Sequence, residues 1–598
     1  MGKSFTPLKK LRNAYAPYYR SLFDILKYQA VSGACLAVLL WAIGRLTAAL
    51  IRSAGRVAVT SGDFMFLFTT WQGVLLILFA LISLALYAAS DLYTKTAYAS
   101  DLINGKDSPL FANIRRSFLA ARKFLTPAGF LVLIYLSLVA PLLGTGISIS
   151  LTEGLYIPTF IMSVITETPL YNAVYILALI VFFIAGFLNA FVLQGIIIDG
   201  LSVKASMKQS VSLIRKNWKD FIRQQFLFSA ATLLVNAAIL LFCFFIPIFL
   251  ILLLNLDPLT DRFFLIFLTF LTVGTAFVVN SYDTPFQIIK NTQLYYSYRN
   301  RTPAVIPVRE KKKHPAAAVI AAIVIAFLVL LSYLANSHFD TLFPKETDVR
   351  IIAHRAGGTE APENTVKGIE AAIGAGAYGA EIDIQRTADG HYIVNHDTTF
   401  ERTAGSRRRP GDMTLEEIRK LSVSGEPVAT LEEMLDAAKG RIILFIELKG
   451  GSADRRMVDD AVRIILERGM QDECVLISLK YDMIDYAERA YPEIQTGFLT
   501  FLAFGNTEQL NCDFIGLEEE SATEASIRSI HDQGKKVLVW TPNSKESQKH
   551  FLLSQADAVI TDRIRQANDL ILELAERSDI ECFYDSLLAG TALRKGAF

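Results

Sequence analysis

Apolar positions follow two different rhythms along the chain. Up to about residue 340 they form long unbroken runs; from about Asp348 they come in short bursts separated by amphipathic stretches. A helix needs about 20 apolar residues to cross a bilayer. Seven runs qualify, at roughly 29–51, 66–90, 125–150, 172–199, 225–254, 263–281 and 316–335. The fifth, "QFLFSAATLLVNAAILLFCFFIPIFLILLLN", is overlong and holds Pro247. No polar turn divides it, so it predicts one tilted or kinked span.

Lysine and arginine collect in alternate loops. The N-terminal segment, "NGKDSPLFANIRRSFLAARKF", "SVKASMKQSVSLIRKNWKDFIRQQF" and "KNTQLYYSYRNRTPAVIPVREKKKH" are basic, whereas "LTEGLYIPTFIMSVITETPLY" and "NLDPLTDR" carry almost no positive charge. Arg52 and Arg56 in the first outer loop are a mild exception. This segregation predicts a multi-pass protein of the cell membrane with a cytoplasmic N-terminus. An odd count of seven spans then puts everything after Leu334 outside the cytoplasm. Arg45 and Asp199, near span ends, read as snorkelling side chains.

The second rhythm alternates strand and helix. "RIIAH", "AEIDI", "HYIVNH", "IILFIEL", "CVLISL", "TGFL", "FIGLE", "KVLVW" and "DAVIT" are short β-rich runs, and helices such as "TVKGIEAAIGAGA" and "DDAVRIILERGM" lie between most of them. Alternation over some 230 residues predicts a parallel α/β barrel of the (β/α)8 TIM type. Nine runs exceed eight strands. The turn "ADG" between "AEIDI" and "HYIVNH" has no room for a helix, so one of those two breaks the alternation. The expected organisation is therefore multi-domain: an all-α polytopic membrane domain over 1–340, then an α/β TIM-barrel domain over 341–598.

Composition agrees with a hybrid. Apolar residues make up 52% of the 598 and mean hydropathy is +0.36, above a soluble domain and below a pure membrane bundle. A net charge of +1 gives no nucleic-acid footprint. The five cysteines, at 35, 243, 474, 512 and 582, form neither a CxxC pair nor a zinc spacing. Nothing in the sequence sets an oligomeric state.

Catalytic groups of such barrels sit at the C-terminal ends of strands. Reading those ends gives His354 and Arg355, Glu381 and Asp383, His396 and Asp397, then Glu447 and Lys449. Glu381 and Asp383 are two apart on a strand and share a face. Two such carboxylates, joined by Glu447, repel one another unless a cation joins them, and all-oxygen ligation suits one divalent metal, Mg²⁺ or Ca²⁺. Salt bridges to Arg355 and Lys449 are the plainer alternative. His354 and His396 fit an acid–base pair, and Arg355 and Lys449 a clamp on phosphate. Fixed cations favour phosphodiester cleavage over glycoside hydrolysis, which needs carboxylates alone.

"AHRAGGTEAPENT", "AEIDIQRTADGHYIVNHDTTFERTAG", "TLEEML", "FIELKG", "VLVWTPN" and "ADAVITDR" together resemble the ordered motif series of the glycerophosphodiester phosphodiesterase family, over roughly residues 349–570. The preceding spans are similar to the membrane domain fused to some bacterial members. The resemblance implies a TIM barrel that uses a divalent metal and releases an alcohol and sn-glycerol 3-phosphate from glycerophosphodiesters. It implies His354 and His396 as catalytic residues and Glu381, Asp383 and Glu447 as metal ligands. Arg355 and Lys449 would contact phosphate, Glu363 and Asn364 would support the first loop, and Trp540 would line the substrate pocket. Attack by the glycerol 2-hydroxyl and direct attack by water both remain open. Two rivals stand beside this reading. One is a phosphodiesterase for lysophospholipid or polyglycerolphosphate; the other is a non-catalytic barrel on a transport or sensor domain. One departure is Ala356, where the family usually has glycine; a positive φ there would strain alanine.

Overall fold

The structure is a computed structural model, and it describes residues 6–60, 65–106, 168–254, 257–301, 315–501 and 503–592, with a few isolated positions between 113 and 166. Contacts divide the chain into two units. One holds most of the N-terminal helices; the other joins Arg45–Leu76 to Phe339–Phe598.

In the first unit, six helices among the described residues are long and apolar enough to span a membrane: Ser21–Ser53, Trp71–Ile103, Pro169–Ile197, Val203–Phe249, Leu259–Tyr298 and Val319–Ser337. The ends of the first two enter the second unit. The run at 125–150 lies, but for residues 126 and 127, outside the described residues. The overlong fifth run is one continuous helical path. It passes through a π-turn at Leu241–Phe245 just before Pro247, which absorbs the backbone bond that proline cannot donate.

Two acidic groups among these helices, Asp91 and Asp199, are fully paired. Asp91 accepts hydrogen bonds from Tyr28 (3.1 Å) and Ser32 (3.0 Å) and pairs with Lys95 at 2.7 Å. Asp199 is not a snorkelling group: it is bound by Arg299, by Arg301 at 2.7 Å and by the Tyr295 hydroxyl. Its partners lie about 100 residues away in sequence, beyond reach of a local reading.

The second unit is a closed barrel. Its strands are β2 (Arg350–Ala353), β3 (Gly379–Arg386), β5 (Ile443–Leu448), β6 (Cys474–Ser478), β7 (Gln495–Thr500), β9 (Phe514–Glu518), β10 (Lys536–Trp540) and β11 (Ala558–Thr561). Each is parallel to its neighbours, and β11 returns to β2, which pairs with β3. The ninth run, β4 (Tyr392–Val394), is antiparallel on the end of β3, with Ile384 opposite Val394. It is the strand without a helix. Two further strands form a separate ladder: β1 (Ala58–Thr60) lies antiparallel to β8 (Ala503–Gly505), with Ala58 opposite Gly505 and Val59 opposite Phe504.

Parallel strands covered by helices are buried on both faces, so they read as near-continuous apolar runs. The twofold alternation still sorts the faces. Ile352, Phe445, Val475, Ile477, Leu499, Phe514, Leu538, Ala558 and Ile560 form one cluster that draws on seven of the eight strands. Their sequence neighbours, such as Ile351, Leu444, Ile446 and Leu476, pack with the helices instead. The first cluster therefore fills the barrel interior. Glu447 shares its face with Phe445, and Glu381 and Asp383 alternate with the outward Ala380, Ile382 and Ile384. The helix just before β5, Leu431–Ala438, begins at a capping box, Thr430 with Glu433, in the "TLEEML" stretch.

Phe445 is 2% exposed and meets Phe514 edge to face at 6.1 Å. Phe445→Ala should destabilise the barrel by about 3–5 kcal/mol and lower its unfolding midpoint by roughly 6–20 °C, read by thermal unfolding of the full chain in detergent.

Candidate active site

The loop that follows β2 is built around one carboxylate. Glu381 accepts the backbone N–H of Arg355 at 2.8 Å through Oε2, and its backbone carbonyl accepts the N–H of Ala356. To reach both, the chain turns through the left-handed region at Arg355 (φ +50°) and Ala356 (φ +68°). Alanine does stand where the conformation favours glycine, at a cost of about 1–2 kcal/mol. Asn364 (φ +56°) closes the loop with two bonds to Asp383: its amide donates to Oδ2 at 2.8 Å and its carbonyl accepts the Asp383 N–H at 3.3 Å.

Glu381, Asp383 and Glu447 converge inside the barrel mouth, with one oxygen from each within 4.8 Å of the others. All three are buried. Lys449 bonds Asp383 Oδ1 at 2.8 Å and Glu447 Oε2 at 3.0 Å. The ammonium therefore offsets one of three charges. Burial and repulsion from Asp383 push Glu381 up to about 8. Burial alone would raise Asp383 too, but Lys449 holds it well below the usual carboxylate range. Glu381 Oε1 is buried without a hydrogen-bond partner. Carboxyls raised by burial and mutual repulsion, an orphaned oxygen and an all-oxygen donor set fit one hard divalent cation.

Both histidines flank this cluster. His354 Nε2 is 4.0 Å from Glu381, and its Nδ1 bonds Asp562 at 2.7 Å. His396 Nδ1 bonds Asp397 at 2.8 Å. Their surroundings push them apart. Burial would lower His354, but the hydrogen bond and charge of Asp562 raise it above the usual imidazole value. Burial lowers His396 to about 4, outweighing the attraction of Asp383. One imidazole pushed up and one pushed down is the division that acid–base chemistry at a single centre uses.

Arg355 Nη1 reaches Glu363 at 3.3 Å, while its Nε is buried with no partner. Glu363 in turn takes both Nη atoms of Arg402 at 2.7 Å, and Arg402 Nε bonds Asp397 at 2.8 Å. Trp540, at the end of β10, donates its indole N–H to Gly516 at 3.2 Å and packs against the interior cluster. The expected residues thus gather at one end of the barrel. Sequence reasoning assigned no role to Asp562, to Arg402, or to Asn543, whose side-chain amide donates to the Asp562 carboxylate. Asp562 ends the strand run "AVIT", which is the signal that singled out the others.

The comparisons agree with this geometry. Residues 354–566 match the model of the glycerophosphoryl diester phosphodiesterase family, and residues 11–335 match the membrane domain of glycerophosphoryl diester phosphodiesterase. The chain belongs to the glycerophosphodiester phosphodiesterase family. It is an enzyme of that class, with a multi-pass membrane domain. A glycerophosphodiester phosphodiesterase of Caldanaerobacter subterraneus is 27% identical over 231 residues, covering 36% of this chain and 93% of that protein. The human glycerophosphodiester phosphodiesterase 1 is 36% identical over 113 residues, 17% of this chain and 34% of that one. An Oleispira antarctica phosphodiesterase, solved with the product sn-glycerol-3-phosphate, is 23% identical, covers 38% of this chain and 96% of its own, and has a TM-score of 0.35.

Gly358 (φ +54°) touches the same machinery, since an added Cβ would lie 2.3 Å from the Asp562 carbonyl oxygen. Gly358→Ala should displace Asp562 from His354 and lower kcat/KM by about a hundredfold. Ala356→Gly trades relief of strain against a lost buried methyl, and should change stability by less than about 1 kcal/mol. Diester hydrolysis and thermal unfolding of the two variants check this pair.

Proposed function

We propose that the enzyme hydrolyses glycerophosphodiesters to an alcohol and sn-glycerol 3-phosphate, with a divalent metal, on the outer side of the cell membrane. The division of labour follows the sequence: 1–340 embeds the chain and 341–598 carries the chemistry. The single observation behind the reaction is the convergence of Glu381, Asp383 and Glu447 between two aspartate-held imidazoles.

Arg355, whose Nε is buried without a partner, and Lys449 would neutralise a diester phosphate. One imidazole of the His354–His396 pair takes the proton of the attacking hydroxyl as its oxygen bonds phosphorus. The other returns a proton to the alkoxide as the phosphorus–oxygen bond to the alcohol breaks. Asp562 and Asp397 hold each ring at Nδ1, so that Nε2 faces the reaction. Glu363 and Asn364 keep the first loop wrapped on the carboxylates. Mg²⁺ or Ca²⁺ held by Glu381, Asp383 and Glu447 would stabilise charge on the phosphoryl oxygens as a Lewis acid. Trp540 lines the wall on which the glycerol or alcohol rests.

The outward orientation is supported by a ladder as well as by the basic loops. β1 follows the first span and pairs with β8 of the barrel. Strands that share hydrogen bonds stand on one side of a membrane, so an even number of crossings lies between them. Among the described residues five spanning helices follow β1, and the apolar run expected from the sequence to span at 125–150 would make six.

EDTA should abolish release of glycerol 3-phosphate from glycerophosphocholine by the full chain, and added Mg²⁺ or Ca²⁺ should restore it; full turnover in EDTA removes the metal. His354→Ala and His396→Ala should each lower kcat by about 10²–10⁴. For orientation, Arg407 is 84% exposed on the barrel. Arg407→Cys should react with a membrane-impermeant maleimide on intact cells, and labelling only after lysis would place the barrel inside.

A further inference from the structure

The segment between the first two spans belongs to the barrel unit, and its placement is specific. β1 adds to β8, which follows β7 and so lies at the C-terminal end of the barrel strands, the end that carries the histidines and carboxylates. Beyond the strand itself, the N–H of Asn506 donates to the Val57 carbonyl at 3.2 Å. Ala58 and Val59 are buried, 7% and 1% exposed, and Ala58 packs in the main barrel cluster. The same rim is tied sideways, since the Ser521 hydroxyl after β9 donates to the Phe501 carbonyl at 2.8 Å.

Both ends of this segment run directly into spanning helices. The first helix ends at Ser53, five residues before Ala58, a span of at most about 17 Å when extended. On the return, a short helix at Phe66–Thr69 leads into the second span at Trp71. That return is tight: an added Cβ on Gly73 would lie 2.4 Å from the Phe66 carbonyl oxygen. Arg56 sits over the Phe66 ring at 5.3 Å and draws the two ends together. Where the segment meets the helices it leaves Val57, Met65, Phe68 and Trp71 exposed, at 42%, 66%, 58% and 66%. Apolar and aromatic side chains at the head of a span belong in the interfacial layer of a bilayer.

We propose that this segment is a rim strand of the catalytic barrel, which holds the active-site mouth at the outer bilayer surface. The substrate drawn in is a glycerophosphodiester that carries an acyl chain seated in that bilayer. The inference rests on the hydrolytic reading above and adds the lipid surface as the partner of the rim. Strand addition supplies main-chain bonds without any new side-chain chemistry, which suits a device that positions the mouth. A diester confined to the same surface as its enzyme gains effective concentration over one in bulk water.

The test uses the full chain reconstituted in phosphatidylcholine vesicles. Choline release is read from lysophosphatidylcholine in those vesicles and from dissolved glycerophosphocholine, which share a leaving group. Val59→Pro removes a ladder donor. It should lower release from the vesicle-borne diester by about tenfold relative to wild type while the dissolved diester changes less than about twofold. As a second variant, Ala58→Cys with Gly505→Cys should cross-link under mild oxidation and keep vesicle-borne turnover. Equal losses on both diesters, no loss on either, or failure to cross-link would overturn the rim strand. Wild-type turnover of the dissolved diester alone would also overturn it and leave the hydrolase standing; no choline from either diester would sink the hydrolase itself.

Discussion

Three carboxylates inside one barrel mouth repel each other, and two unit charges about 4 Å apart interact by roughly 4 kcal/mol even at an effective dielectric of 20. Much of the surrounding structure answers that repulsion. Lys449 contributes one opposing charge, Asn364 gives Asp383 a hydrogen bond, and the Arg355 N–H does the same for Glu381. The loop after β2 turns through positive φ at Arg355, Ala356 and Asn364 in making those bonds. Strain in the loop and satisfaction of the carboxylates are therefore one arrangement. It also fixes His354, which sits between the strained loop and Asp562. What the arrangement leaves over is negative charge and the Oε1 atom of Glu381. A hard cation would answer both.

The parts of this site that sequence could reach were those governed by a twofold period. Glu381 and Asp383 share a face because they are two apart on one strand, and Glu447 and Lys449 do so for the same reason. Strand ends are also local, so both histidines were legible. Partnerships were not. Asp562 meets His354 across 208 residues because β11 closes the barrel against β2, and no local pattern encodes closure. Arg402 reaches Glu363 across 39 residues for a similar reason. The ninth strand was counted correctly but could not be placed, since "HYIVNH" has the composition of a barrel strand and only the short turn before it argued otherwise. The ladder between β1 and β8 was invisible: three residues between two spans carry no strand signal of their own, and their partner lies over 400 residues downstream.

Asp91 and Asp199 among the helices hold buried charge differently from the groups at the barrel mouth. Asp91 is held by a lysine and two hydroxyls, and Asp199 by two arginines and a phenol. Charges within a membrane domain are costly unless so paired, and these have little left to offer a ligand. In the barrel, Arg355 keeps a buried Nε without a partner, and Glu381 keeps an oxygen. Leaving charged atoms unsatisfied in a buried site costs stability, typically 1–3 kcal/mol for each group. Asp91 and Asp199 are matched in full, whereas these two atoms are not. The two mismatches have opposite signs, one anionic beside His354 and one cationic on the next residue. Together they would suit a complement that is itself dipolar: a cation on one side and an anionic phosphoryl group on the other. Each would favour the other: Glu381, Asp383 and Glu447 would hold the cation, and the cation and Arg355 would share the phosphate charge.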